Sequence, residues 1–93
     1  MSRSERRAVR NDSIVLREEF DDWAILFDPE SGLGFGMNPV AVMVWKHLDG
    51  RRTVAEIFEI IAGHFSDVPE NARDDIYEFI NDLLDKGYAG YER

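Results

Sequence analysis

The chain has 93 residues, enough for one domain with one modest core. With 44% hydrophobic and 12% aromatic residues it can fold, and with no cysteine it excludes disulfides, thiolate catalysis, iron–sulfur ligation and cysteine-rich zinc sites. The formal net charge of −8 is unevenly spread: residues 1–10 hold four Arg and one Glu, +3, which leaves −11 on the remainder, a body that repels phosphate backbones and favours basic partners.

Residues 1–12 read as a flexible basic arm, and residues 13–93 as the folded domain. Arg3, Arg6, Arg7 and Arg10 stand where the apolar core of a signal peptide would lie. Ile14, Val15 and Leu16 open a first strand that runs to Phe20, and Asp21-Asp22 supplies a turn. Residues 23–28 are aromatic and branched, a second strand. Asp28-Pro29-Glu30-Ser31-Gly32 is turn chemistry, with Pro presetting φ and Gly accepting a positive one. Residues 33–37 form a third strand; Leu33, Phe35 and Met37 share one face by the period of two, while Gly34 and Gly36 leave the other bare.

Three helices follow. Asn38 is an N-cap with Pro39 at the first helical position, and Ala41, Val44, Trp45 and Leu48 make an apolar stripe that Asp49-Gly50 ends. Thr53 and Glu56 match a capping box in front of a second stripe of Val54, Ile57, Phe58, Ile61 and Phe65. Asp67-Val68-Pro69 starts a third helix, which Gly87 terminates after Lys86, and residues 88–91 form a short extended piece. On the third helix Ala72, Ile76, Phe79 and Leu83 cluster in one arc, opposite an acidic strip of Glu70, Asp74, Glu78, Asp82 and Asp85. Tyr77, Ile80 and Leu84 form a second apolar ridge, with Arg73 on the same flank. Two arrangements fit: both ridges are buried, one against helices and one against the sheet, or the second lines a partly filled groove.

Chemistry is sparse. His47 and His64 lie near helix ends, where a cation suits the helix dipole, and neither belongs to a ligand cluster. Asp21-Asp22 reads as a turn and Asp74-Asp75 as a polar helix face, so no carboxylate pair is shielded as acid–base catalysis requires. Gly32, Gly34 and Gly36 recur at every second residue, unlike a phosphate-binding loop. The longest apolar stretch, residues 39–45, is far short of a membrane span. The expectation is a cytoplasmic protein that is not an enzyme, holds no metal or cofactor, and engages neither membrane nor nucleic acid.

Three strands followed by three helices make a winged-helix-like α+β fold. Over most of residues 14–91 the chain resembles the PqqD-like family, pyrroloquinoline quinone biosynthesis protein D and its relatives among the precursor-peptide recognition elements of RiPP biosynthesis. The residues that carry the likeness are Ala24-Ile25-Leu26-Phe27-Asp28-Pro29, Gly36-Met37-Asn38-Pro39 with Trp45, and Leu48-Asp49-Gly50-Arg51-Arg52-Thr53-Val54-Ala55-Glu56-Ile57. Phe79-Ile80, Leu83-Leu84 and Lys86-Gly87-Tyr88 complete it. The resemblance implies a non-catalytic module that binds the leader of a ribosomally made precursor peptide and presents it to a modifying enzyme, often a radical S-adenosylmethionine enzyme. It also implies that the leader adds a strand to the sheet edge and lies against the third helix. The expected peptide-binding residues are then Leu33, Gly34, Phe35, Gly36 and Met37 on the strand, with Arg73, Tyr77, Ile80 and Leu84 on the helix. The chain departs from the familiar pattern at Gly34 and Gly36.

Two other functions suit the same architecture. A winged-helix DNA-binding protein would need Arg and Lys on its recognition helix, where this chain has an acidic strip. A purely structural accessory subunit of an enzyme would need no peptide groove at all.

Overall fold

The computed structural model describes residues 6–21, 23–65 and 71–91. Its elements run β1 (Arg7–Arg10), β2 (Val15–Glu18), β3 (Ala24–Asp28), β4 (Leu33–Met37), α1 (Pro39–Lys46), β5 (Asp49–Thr53), α2 (Val54–His64), α3 (Ala72–Asp85) and β6 (Ala89–Tyr91). The first sheet is the expected antiparallel meander, in the order β2-β3-β4. At its first turn the Glu19 amide donates to the Trp23 carbonyl at 2.8 Å and Asp21 takes a positive φ of 54°; Asp22 lies outside the described residues. At the second, the Asp28 carboxylate accepts from the Glu30 amide at 3.0 Å and the Ser31 hydroxyl at 2.9 Å, and Gly32 closes the turn at φ 77°.

The helix signals act as their chemistry dictates. Asn38 Oδ1 accepts the Ala41 amide at 2.8 Å, with Pro39 opening α1. The capping box is complete: the Glu56 amide donates to Thr53 Oγ1 at 3.1 Å and the Thr53 amide to Glu56 Oε1 at 2.8 Å. Gly87, at φ 77°, ends α3, and the Tyr88 amide reaches back to the Leu83 carbonyl at 2.9 Å. The expected start of α3 at Asp67-Val68-Pro69 lies outside the described residues; the helix runs from Ala72, with Asn71 in the cap position.

Two findings revise the sequence reading. Residues 49–53, read as the end of one helix and the start of another, form β5, and Arg7–Arg10, read as part of a flexible arm, form β1. They build a second antiparallel sheet in the order β5-β1-β6, with β1 at its centre. The basic side chains are engaged there. Arg10 donates to the carbonyls of Lys46 and Leu48 at 3.2 and 3.3 Å, at the C-terminal end of α1 where a cation is favoured, and the Arg6 guanidinium lies 3.9 Å from the centre of the Tyr91 ring. Ala8 is fully buried between the flanking strands. One core gathers Leu26 of β3, Met37 of β4, Val44 of α1, Leu48, Ile57 of α2 and Ile80 of α3.

Candidate functional site

Alternation in the first sheet decides what its two faces can do. Ala24, Leu26 and Met37 point inward and are buried, with Phe35 packed against the same core. Ile25 and Phe27 point outward, opposite Gly36 and Gly34 respectively. Among the described residues β4 pairs with β3 alone, so its other side is an open edge of the described sheet.

That edge opens on α3. A cleft of about 190 Å³ is walled by Phe35, Gly36 and Met37 of β4, by Phe79, Asp82 and Leu83 of α3, and by Lys86 just past the helix end. A second cleft of about 280 Å³ runs between Asn38, Val40, Ala41 and Val44 and the α3 residues Ala72, Asp75, Ile76 and Phe79. Phe79 is common to both, so one trough follows α3 for most of its length. Its floor is apolar and its rim charged: Asp75 and Asp82 on the helix, and Lys86 with Nζ 5.4 Å from the Phe35 ring centre.

The strand residues singled out from the sequence divide by role. Phe35, Gly36 and Met37 line the cleft, Gly34 faces outward, and Leu33 is 55% exposed beyond its end. The helix residues singled out are on a different flank. Ile80 is only 1% exposed and belongs to the core, Tyr77 and Leu84 are half-buried against it, and the Arg73 guanidinium stacks 4.6 Å over the Phe58 ring of α2. None of the four lines the trough; α3 is rolled so that this ridge meets the helical core and the Phe79–Leu83 ridge meets β4. Phe79, Asp82, Leu83 and Lys86 recur at i, i+3, i+4 and i+7. The signal that could have found them is that spacing, because an apolar stripe interrupted by two charges is a stripe that is not sealed.

A hydrogen-bonded seam closes one end of the trough. Tyr88, just before β6, packs edge-on against Phe35 with ring centres 5.9 Å apart and donates to Asp28 Oδ2 at 3.1 Å. Burial pushes the Asp28 carboxyl up, but bonds from the Ser31 hydroxyl, the Glu30 amide and the Tyr88 hydroxyl outweigh it and hold the group below its ordinary range. Burial and the Asp28 contact raise the Tyr88 phenol above its ordinary value, so it stays a protonated donor at neutral pH. The seam also borders a polar dish of about 430 Å³, larger than either trough segment but lined mostly by turn residues.

His47 is occupied as a helix cap, its Nδ1 2.8 Å from the Met43 carbonyl, and His64 lies edge-on to Phe65. Among the described residues no three His, Asp or Glu side chains converge as a metal site would require, and no helix is long and apolar enough to cross a membrane.

Residues 24–89, well over half of the chain, match the family model described as coenzyme PQQ synthesis protein D. The chain belongs to the PqqD family. As a PqqD-family member it is a non-catalytic protein. Two solved structures share the fold. "TbiB1 in Complex with the TbiA(beta) Leader Peptide" is 24% identical, with a TM-score of 0.70 over 91% of this PqqD-family chain and 99% of the other. "Lasso peptide synthetase B1 complexed with the leader peptide" is 19% identical, with a TM-score of 0.71 over 90% and 98%. No curated protein matches the PqqD-family chain by sequence.

Proposed function

We propose that this protein binds the leader segment of a ribosomally made precursor peptide and presents it to a separate modifying enzyme. The observation that carries the reading is the open edge of β4 facing α3 across an apolar cleft. An added strand satisfies the free main-chain groups of β4 whatever its sequence, and its trough-facing side chains meet Phe79, Leu83 and Met37, which supply selectivity. Five residues of β4 correspond to about 16 Å of strand, so roughly five leader residues pair. Both similar structures are of proteins in complex with a leader peptide, which supports a leader as the ligand. A radical S-adenosylmethionine enzyme is the partner this reading favours.

The test is a titration with peptides encoded beside the gene, read by amide hydrogen exchange. Saturable binding should slow exchange across Leu33–Met37, and Phe79→Asp should weaken it by about ten-fold, on the order of 1.4 kcal/mol. Binding that leaves the β4 amides unprotected and ignores Phe79→Asp would remove the groove from the function.

A further inference from the structure

The outer face of the first sheet has rows that stop short. Pairing aligns Val15 with Phe27 and Phe27 with Gly34, and in the next outward row Arg17 with Ile25 and Ile25 with Gly36. Each row therefore carries side chains on β2 and β3 and nothing on β4. Ile25 and Phe27 are left 37% and 38% exposed, and Val15 48%, on an apolar face that ends at the edge where a strand would add. The glycines are not required by the backbone, since neither takes a positive φ. Nor is Gly36 required by crowding: a Cβ there would meet nothing within 4 Å, whereas one at Gly34 would come 3.3 Å from Ile25 Cγ2.

We infer that Gly34 and Gly36 form an outward recess that selects leader peptides with large apolar or aromatic residues at two positions, i and i+2, on the side facing away from the trough. This rests on the proposed strand addition and concerns the other half of the bound strand's side chains. A strand paired to β4 lies two strand spacings, about 10 Å, from β3. A large side chain leaning over a bare glycine closes that distance from one side while Ile25 or Phe27 leans from the other, and an aromatic ring covering a glycine in this way is a known stabiliser of sheets. Alanine is too short to do so and leaves both glycine backbone and β3 side chains wet. The bound strand is thus read on both faces: the trough reads one set of alternate residues, and the glycine recess the other.

The experiment is a selection from a displayed library of random peptides about twelve residues long against the full chain, followed by affinity measurements on synthetic copies of the winners. Peptides should emerge with apolar residues on both alternations, and trimming an outward one to alanine should cost about five-fold in affinity, both together about twenty-fold. Gly36→Val, which fills the recess, should abolish the penalty at one outward position. Ile25→Ala, at an exposed site, gives the same reading without filling the recess. Winners that are apolar only on the trough-facing alternation and remain sensitive to Phe79→Asp overturn the recess and keep the groove. Winners insensitive to Phe79→Asp overturn strand addition itself, and the recess with it. A dimer of the free protein that Phe27→Asp dissociates would put a second copy on this face, and that too overturns the proposal.

Discussion

The two sheets of this protein are the same size and are built on opposite plans. The β2-β3-β4 sheet is local: each strand pairs with the next through a tight turn, its outer face is apolar and open, and one edge faces a trough. The β5-β1-β6 sheet is assembled from three distant stretches, Arg7–Arg10, Asp49–Thr53 and Ala89–Tyr91, and contributes little apolar surface beyond Ala8 and Ala89. In the second the basic side chains are engaged, with Arg7 donating to the Arg51 carbonyl and Arg52 paired with Asp49 at 2.7 Å.

The sharpest way to break the contrast is to put the same charge in each sheet. Ala8→Asp puts a carboxylate at a fully buried position of the central strand, and should cost several kcal/mol or prevent folding. Val15→Asp, on the open face, should cost about 1 kcal/mol or less in the same urea titration. Removal of the first ten residues deletes β1 and should behave like Ala8→Asp.

Next in size is the division within α3. Ile80→Ala should lower stability by about 2–5 kcal/mol and leave the affinity of the folded fraction unchanged, since that side chain is core. Phe79→Ala should do the reverse in part, with a smaller stability loss and a clear fall in peptide affinity. Thr53→Ala, where β5 runs into α2, should cost about 1 kcal/mol through loss of the capping box, measurable as a shift in the urea midpoint.

The smallest expected effect is the acid response of the seam. The Asp28 carboxyl is held below its ordinary value of 3.8, so its contribution is complete above that value and is lost as pH falls through the lower value of the folded state. Asp28→Asn should flatten the decline in stability below about pH 4 without changing its level's dependence on pH between 6 and 8. Stability measured by urea titration across the acid range checks this.

What the sequence showed follows the same division. The β3–β4 turn, the capping box and the helix stop at Gly87 are each encoded within a few consecutive residues, and all were legible. β1 and β5 were not, because Arg7-Ala8-Val9-Arg10 and Asp49-Gly50-Arg51-Arg52-Thr53 have no apolar alternation of their own and become strands only by meeting each other across some forty residues. Tertiary pairing overrode local signal there. In the site, the ridge of Tyr77, Ile80 and Leu84 does not line the cleft, and Asp82, read as opposite the Phe79–Leu83 arc, stands beside it. Two adjacent apolar ridges look alike on a wheel, and only packing decides which of Ile80 and Phe79 faces the core.

The antiparallel pairing of β1 with β6 brings Ala8 opposite Tyr91, so the first and last described strands lie side by side, in the sheet that does not contain β4. A domain with that property behaves as a plug-in cassette. It can be spliced into a surface loop of a larger protein across a gap no wider than a hairpin, or carried at either end of one, while the β4 edge stays free. Evolution or an engineer could therefore move it between a stand-alone carrier and a built-in docking arm without redesigning what it grips.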